Sequence, residues 1–173
     1  VSAAKMGRRS LIVSFETSKG TVVKLARSFG MTEEDEVQVA SVVPQALGPV
    51  EQFELIEELV DENQSEFVLV DSLTAIEHAV GREGLIDFTR YLQWMAKERG
   101  MTILCTQLGS GHFEKDTRAA SLYADTVILL RVTERDGVLL REASVLKSRR
   151  LGIQGVRYLM ELSEGRIRFL RER

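Results

Sequence analysis

A chain of 173 residues, 44% apolar and 28% charged, is long enough for one domain with a substantial core. Its net charge of −3 argues against a general nucleic-acid coating role, although a local basic patch is compatible with it. A single cysteine, Cys105, excludes an internal disulfide framework, and two distant histidines, His78 and His112, without a Cys-x-x-Cys partner argue against structural zinc.

No apolar run approaches the roughly 20 residues needed to cross a bilayer, and no signal peptide is visible, so a cytoplasmic protein is expected. The opening Val1-Ser-Ala-Ala-Lys-Met-Gly7 reads as the last turns of a helix closed by Gly7, which predicts that further residues belong before Val1. Residues 11–15 form a strand pattern ending at Glu16. Ser18 is placed to cap a helix over 19–29, closed by Gly30. After an acidic loop, a short strand is expected near 37–40. Pro44, Gly48 and Pro49 punctuate the next loop, and 50–62 has helical spacing, with Val50, Phe53, Leu55, Ile56, Leu59 and Val60.

The run Phe67-Val-Leu-Val-Asp71 suits a strand buried on both faces of a parallel sheet. A second amphipathic helix is expected over 84–98, on which Tyr91 and Trp94 are packing residues. Another strand follows at 102–106, ending at Gln107, and supplies Cys105 to the core. His78 and His112 are expected on the surface or in loops. Strand patterns near 125–132, 138–147, 156–162 and 166–170 come with tight turns at Asp136-Gly137 and Glu164-Gly165. The reading is one α/β domain over 1–173: a mostly parallel sheet extended by C-terminal antiparallel strands.

Glu16, Asp71 and Gln107 each close a strand. In a parallel sheet all three belong to the carboxyl edge, where ligands bind in this fold class. Asp71 can hold the water shell of magnesium, which prefers oxygen ligands. Glu16 can orient and polarise an attacking water, and Gln107 can sense a phosphate through a reversible hydrogen bond. Each also has a plainer reading: Asp71 as a turn cap, Glu16 and Gln107 as solvated loop residues. By themselves Lys147, Ser148, Arg149 and Arg150 read as a solvated basic loop between strands.

The order and wording of these segments resemble the KaiC-like branch of the RecA-fold P-loop ATPases. Leu11-Ile-Val-Ser-Phe-Glu16 resembles its strand ending in the catalytic glutamate. Phe67-Val-Leu-Val-Asp-Ser72 resembles its Walker B strand, and Leu104-Cys-Thr-Gln107 its sensor strand. Ala124-Asp-Thr-Val-Ile-Leu-Leu130 and Val145-Leu-Lys-Ser-Arg149 resemble its Ala-Asp-x-Val-Ile and Lys-x-Arg motifs. The likeness runs from about residue 9 to 170 and implies a RecA-like three-layer α/β/α fold.

It implies ATP and Mg2+ as ligands. Asp71 would hold magnesium through water, and Ser72 would shape the site. Glu16 would be the catalytic base and Gln107 the sensor. Lys147 and Arg149 would reach the γ-phosphate held by the next subunit, as an arginine finger does, in a ring or filament of copies.

The sequence departs from the family in three places. It contains no Gly-Lys dipeptide, hence no Gly-x-x-x-x-Gly-Lys-Ser/Thr loop. In the family that loop lies upstream of the first strand seen here, so the domain is expected to be N-terminally incomplete. Thr17 follows Glu16 where a second acidic residue is common, and Arg150 follows Arg149 where Gly is common. Two alternatives stay open: a catalytically inactive RecA-like scaffold pairing with a complete ATPase subunit, and a recombinase-type DNA-binding protein. Nucleic acid is compatible but not indicated.

Overall fold

In the computed structural model, residues 1–109, 120–149, 152, 156–163 and 165–171 are described. The chain divides into two compact units, Val1–Tyr123 and Ala124–Arg173. His112, Arg150 and Glu164 lie outside the described residues.

The first unit opens on a short helix α1 (Ser2–Lys5), followed by Gly7 at φ 72°, a left-handed stop that favours glycine. Then come β1 (Ser10–Ser14), α2 (Lys19–Ser28), β2 (Val37–Ser41), α3 (Pro49–Asn63), β3 (Phe67–Asp71), α4 (Leu73–Glu98) and β4 (Thr102–Cys105). The four strands lie in the order β2-β1-β3-β4, all parallel. From β1 the chain moves one way to β2, then back across the sheet to β3 and β4. Right-handed crossovers therefore put α2 on one face and α3 and α4 on the other, giving three layers.

The main core is on the α3–α4 face. Leu11 and Val13 of β1 and Val68 and Val70 of β3 are fully buried against Ile56 and Val60 of α3 and Ile76, Leu85, Phe88, Leu92 and Met95 of α4. The opposite face is less covered. Phe67 and Leu69 are only half-buried, and Leu104 on edge strand β4 is 49% exposed. The apolar run of β3 thus packs one face tightly and the other partly, where the sequence suggested burial on both.

Helix α4 begins eleven residues before the expected boundary at 84, at Leu73, because its two stretches meet at Gly81, whose φ 73° and ψ 179° are non-helical. Tyr91 packs against the core, as expected, whereas Trp94 is exposed and only flanks the Tyr91 ring. The Tyr91 ring lies 5.0 Å from Phe53 and 5.7 Å from Trp94, and its hydroxyl donates to Glu57 at 2.7 Å. His78 is exposed.

The second unit holds the antiparallel strands expected at the C-terminal end: β5 (Thr126–Arg135), β6 (Val138–Ser148), β7 (Arg157–Ser163) and β8 (Arg166–Arg171). They pair in sequence order as a sheet of their own. Asp136 and Gly137 both have positive φ, 54° and 76°, the backbone of a tight hairpin turn. No described helix is long and apolar enough to cross a membrane.

Candidate functional site

The strand order reverses direction between β1 and β3, and the crevice outside the carboxyl ends of strands at such a switch point is the usual ligand site. Ser14 and Asp71 are register partners there, so the residues after β1 and β3 leave the sheet side by side. A further bond, Phe15 N–H to the Asp71 carbonyl at 2.6 Å, carries the pairing one step past the ladder.

The loop after β1 is shaped by buried Ser14, whose hydroxyl accepts the Thr17 N–H at 3.0 Å, and by Ser41, which donates to the Thr17 carbonyl at 3.0 Å. Glu16 stands exposed at the tip of this turn. Its Oε1 accepts a hydrogen bond from the hydroxyl of Ser72, which is itself buried. Ser72 is also the residue before α4, joined to Asp71 by a cis peptide bond, and its side chain makes no bond to that helix.

Asp71 is half-buried at the end of β3, and its Oδ1 accepts from the Thr106 hydroxyl at 2.5 Å. Gln107, exposed two residues past β4, donates from Nε2 to Glu77 Oε2 at 3.3 Å. The next residue, Leu108, donates its N–H to Thr74 Oγ1 at 2.8 Å, and Leu73 N–H donates to the Thr106 carbonyl at 2.8 Å. The edge therefore gathers Glu16, Asp71, Ser72 and Gln107. It adds Thr74, Glu77 and Thr106, which sequence reasoning did not single out.

Among the described residues no three His, Cys, Asp or Glu side chains converge as a ready-made metal cage. Magnesium does not require one, since it keeps most of its water and takes one or two protein carboxylates beside substrate phosphates. Asp71, a half-buried carboxylate at the carboxyl edge of the sheet, is of the type such a cation takes. Cys105, just below the edge, packs against the core, and burial pushes its thiol up to about 12. It is a poor thiolate and a poor soft-metal ligand at neutral pH.

Lys147 and Arg149 belong to the second unit, at the end of β6. Arg149 is exposed. Its N–H donates to the Asp125 carbonyl at 2.9 Å, and its Nη1 lies 3.5 Å from Asp125 Oδ1. Burial, and then the neighbouring Arg149 charge, lower the Lys147 ammonium from its ordinary range against the pull of Asp125.

A family model described as "ATPase: KaiC" matches residues 1–173. The chain is similar to the circadian clock oscillator protein KaiC of Synechococcus elongatus, 24% identical over 150 residues, covering 82% of this chain and 29% of that protein. It is likewise similar to the circadian clock protein KaiC3 of Synechocystis, 26% identical over 152 residues, covering 83% and 30%. The KaiC of Thermostichus vulcanus is 23% identical over 158 residues, covering 86% and 30%. The chain spans about three-tenths of the length of these curated relatives.

Proposed function

The chain belongs to the KaiC family of ATPases, and from that premise we propose that it supplies the carboxyl-edge half of a Mg2+-ATP site between protomers, coupling hydrolysis to assembly or conformational change. The observation that carries this reading is the meeting of Glu16, Asp71 and Ser72 at the switch point of the sheet.

In this reading Asp71, with Ser72 beside it, holds the hydrated magnesium ion, which when bound neutralises charge on the β- and γ-phosphate oxygens. Glu16 accepts a proton from the attacking water and orients it. The Ser72 hydroxyl fixes the direction of the Glu16 carboxylate before substrate arrives, so less ordering remains for the transition state. Gln107 exchanges its bond to Glu77 for one to the γ-phosphate. Lys147 and Arg149 of a neighbouring copy stabilise charge on the transferring group. Residues 1–173 contain no phosphate-loop sequence, so the reading assigns the phosphate cradle to a segment outside them. A cytoplasmic location goes with it.

The test uses the protein expressed from its full native reading frame. Glu16→Gln should lower Mg2+-dependent ATP turnover by about 10²-fold or more while ATP binding persists. Residues 1–173 alone should bind ATP poorly. Unchanged turnover in Glu16→Gln, or Glu16-dependent turnover by residues 1–173 alone, would overturn the assignment. A second reading is favoured by the missing Gly-Lys alone: a RecA-like module without turnover that lends Lys147 and Arg149 to a complete ATPase subunit. A phosphate-loop motif upstream of Val1 in the native frame supports the ATPase, and its absence there supports the module.

A further inference from the structure

Thr106 is the first residue past β4, and its backbone is held without help from its side chain. Its N–H donates to the Val70 carbonyl at 3.0 Å, and its own carbonyl accepts the Leu73 N–H at 2.8 Å. The hydroxyl is therefore not needed to place the residue. It is spent on Asp71, whose Oδ1 it reaches at 2.5 Å. A β-branched side chain has few χ1 wells, so this donor is presented at a nearly fixed point. A carboxylate held at one oxygen cannot rotate freely about its terminal bond, and its second oxygen keeps one direction.

The same segment is stitched down on its far side. Gln107 donates to Glu77, and Leu108 N–H donates to Thr74, both on the first stretch of α4. Three successive residues after β4 thus engage three residues that follow in chain order from the end of β3: Asp71, Thr74 and Glu77.

We propose that Thr106 is a positioning residue for Asp71, aiming its free carboxylate oxygen at a divalent cation and linking that aim to the placement of Gln107. The inference rests on the reading of Asp71 as the magnesium-holding carboxylate. Hydrogen-bond partners of ligating carboxylates commonly carry 10–100-fold in metal affinity. A sensor glutamine that leaves Glu77 for a phosphate shifts the residue bonded to Asp71, so cation hold and phosphate sensing change together.

The test compares Thr106→Val, Thr106→Ser and Asp71→Asn in the full native protein. Mn2+ serves as the probe, bound with an ATP analogue whose β–γ bridge cannot be cleaved, and free Mn2+ is counted by electron paramagnetic resonance. Thr106→Val should weaken Mn2+ binding about tenfold at an unchanged thermal midpoint, and Thr106→Ser should restore it to within about twofold of the parent. If Asp71→Asn weakens Mn2+ binding and Thr106→Val does not, the positioning role is overturned while the nucleotide-site reading stands. If Asp71→Asn has no effect either, that reading itself is overturned, and this inference with it.

Discussion

Ser72 stands at the N-cap of α4 and makes no cap bond, because its hydroxyl goes to Glu16. Ser18 at the N-cap of α2 behaves in the ordinary way and accepts the Thr21 N–H. A local rule broken at one serine and kept at another points to a site constraint rather than to helix propensity. Tyr91 shows a second kind of constraint. Burial, and then the adjacent Glu57 carboxylate, push its phenol up to about 12 from an ordinary 10.0. Below about pH 10 the phenol is protonated in both folded and unfolded chains, and its contribution to stability is complete. Between about pH 10 and 12 the unfolded chain has lost the proton and the folded chain retains it, so stability falls as pH rises. Urea unfolding at about pH 9 and about pH 11 should therefore show a smaller alkaline loss in Tyr91→Phe than in the parent, with a cost of about 1 kcal/mol at neutral pH for the missing bond. An equal alkaline loss in both proteins would show that Tyr91 does not titrate late. At this scale the sequence displays Glu16, Asp71 and Gln107, because each closes an apolar strand. Thr106 and Glu77 give no such signal: their bonds to Asp71 and Gln107 join residues thirty or more positions apart, which the parallel pairing of β3 and β4 and the start of α4 between them bring together.

The elements differ in how openly their sequences declare them. β3 is a short apolar run bounded by polar residues, and the β5–β6 hairpin carries its Asp136-Gly137 turn, so both are legible. The first stretch of α4 is harder to see, although Leu73, Ile76 and Val80 keep helical spacing, because it is short and Gly81 makes a break before the stretch expected over 84–98. The break is real, but helix continues on both sides of it. Gly81 has φ 73° and ψ 179°, a region reached almost only by glycine. Gly20, in the first turn of α2, has ordinary helical backbone and open space where a Cβ would stand. The two glycines should respond to the same change with opposite sign. Gly81→Ala should cost about 1–3 kcal/mol of backbone strain, and Gly20→Ala should gain up to about 1 kcal/mol. Chemical denaturation of both variants against the parent checks this. A neutral Gly81→Ala would mean that the α4 break is not held in that conformation.

At the scale of the whole molecule, the placement of Lys147 and Arg149 in a separate compact unit poses a question about assembly. If a neighbouring copy donates these cations, the residues needed for one turnover come from two chains. Glu16 and Asp71 come from one, and Lys147 and Arg149 from the next. Two inactive variants of the full native protein then complement each other. Glu16→Gln lacks the base and keeps its cations, while Arg149→Ala keeps the base and lacks its finger. In a head-to-tail ring assembled at random from equal amounts of both, each interface needs an intact Glu16 from one side and an intact Arg149 from the other. That combination arises at about a quarter of the interfaces, so turnover should recover to about a quarter of the parent's after the two are mixed and reassembled. Donation within one chain predicts no recovery, because every chain in the mixture then lacks one of the two groups. Mixing Glu16→Gln with a double variant, Glu16→Gln and Arg149→Ala, supplies the control. No interface there has an intact Glu16, and no turnover should return whatever the geometry. Recovery in the first mixture and silence in the second would locate the finger on the partner. Silence in both would return Arg149 to its local pair with Asp125.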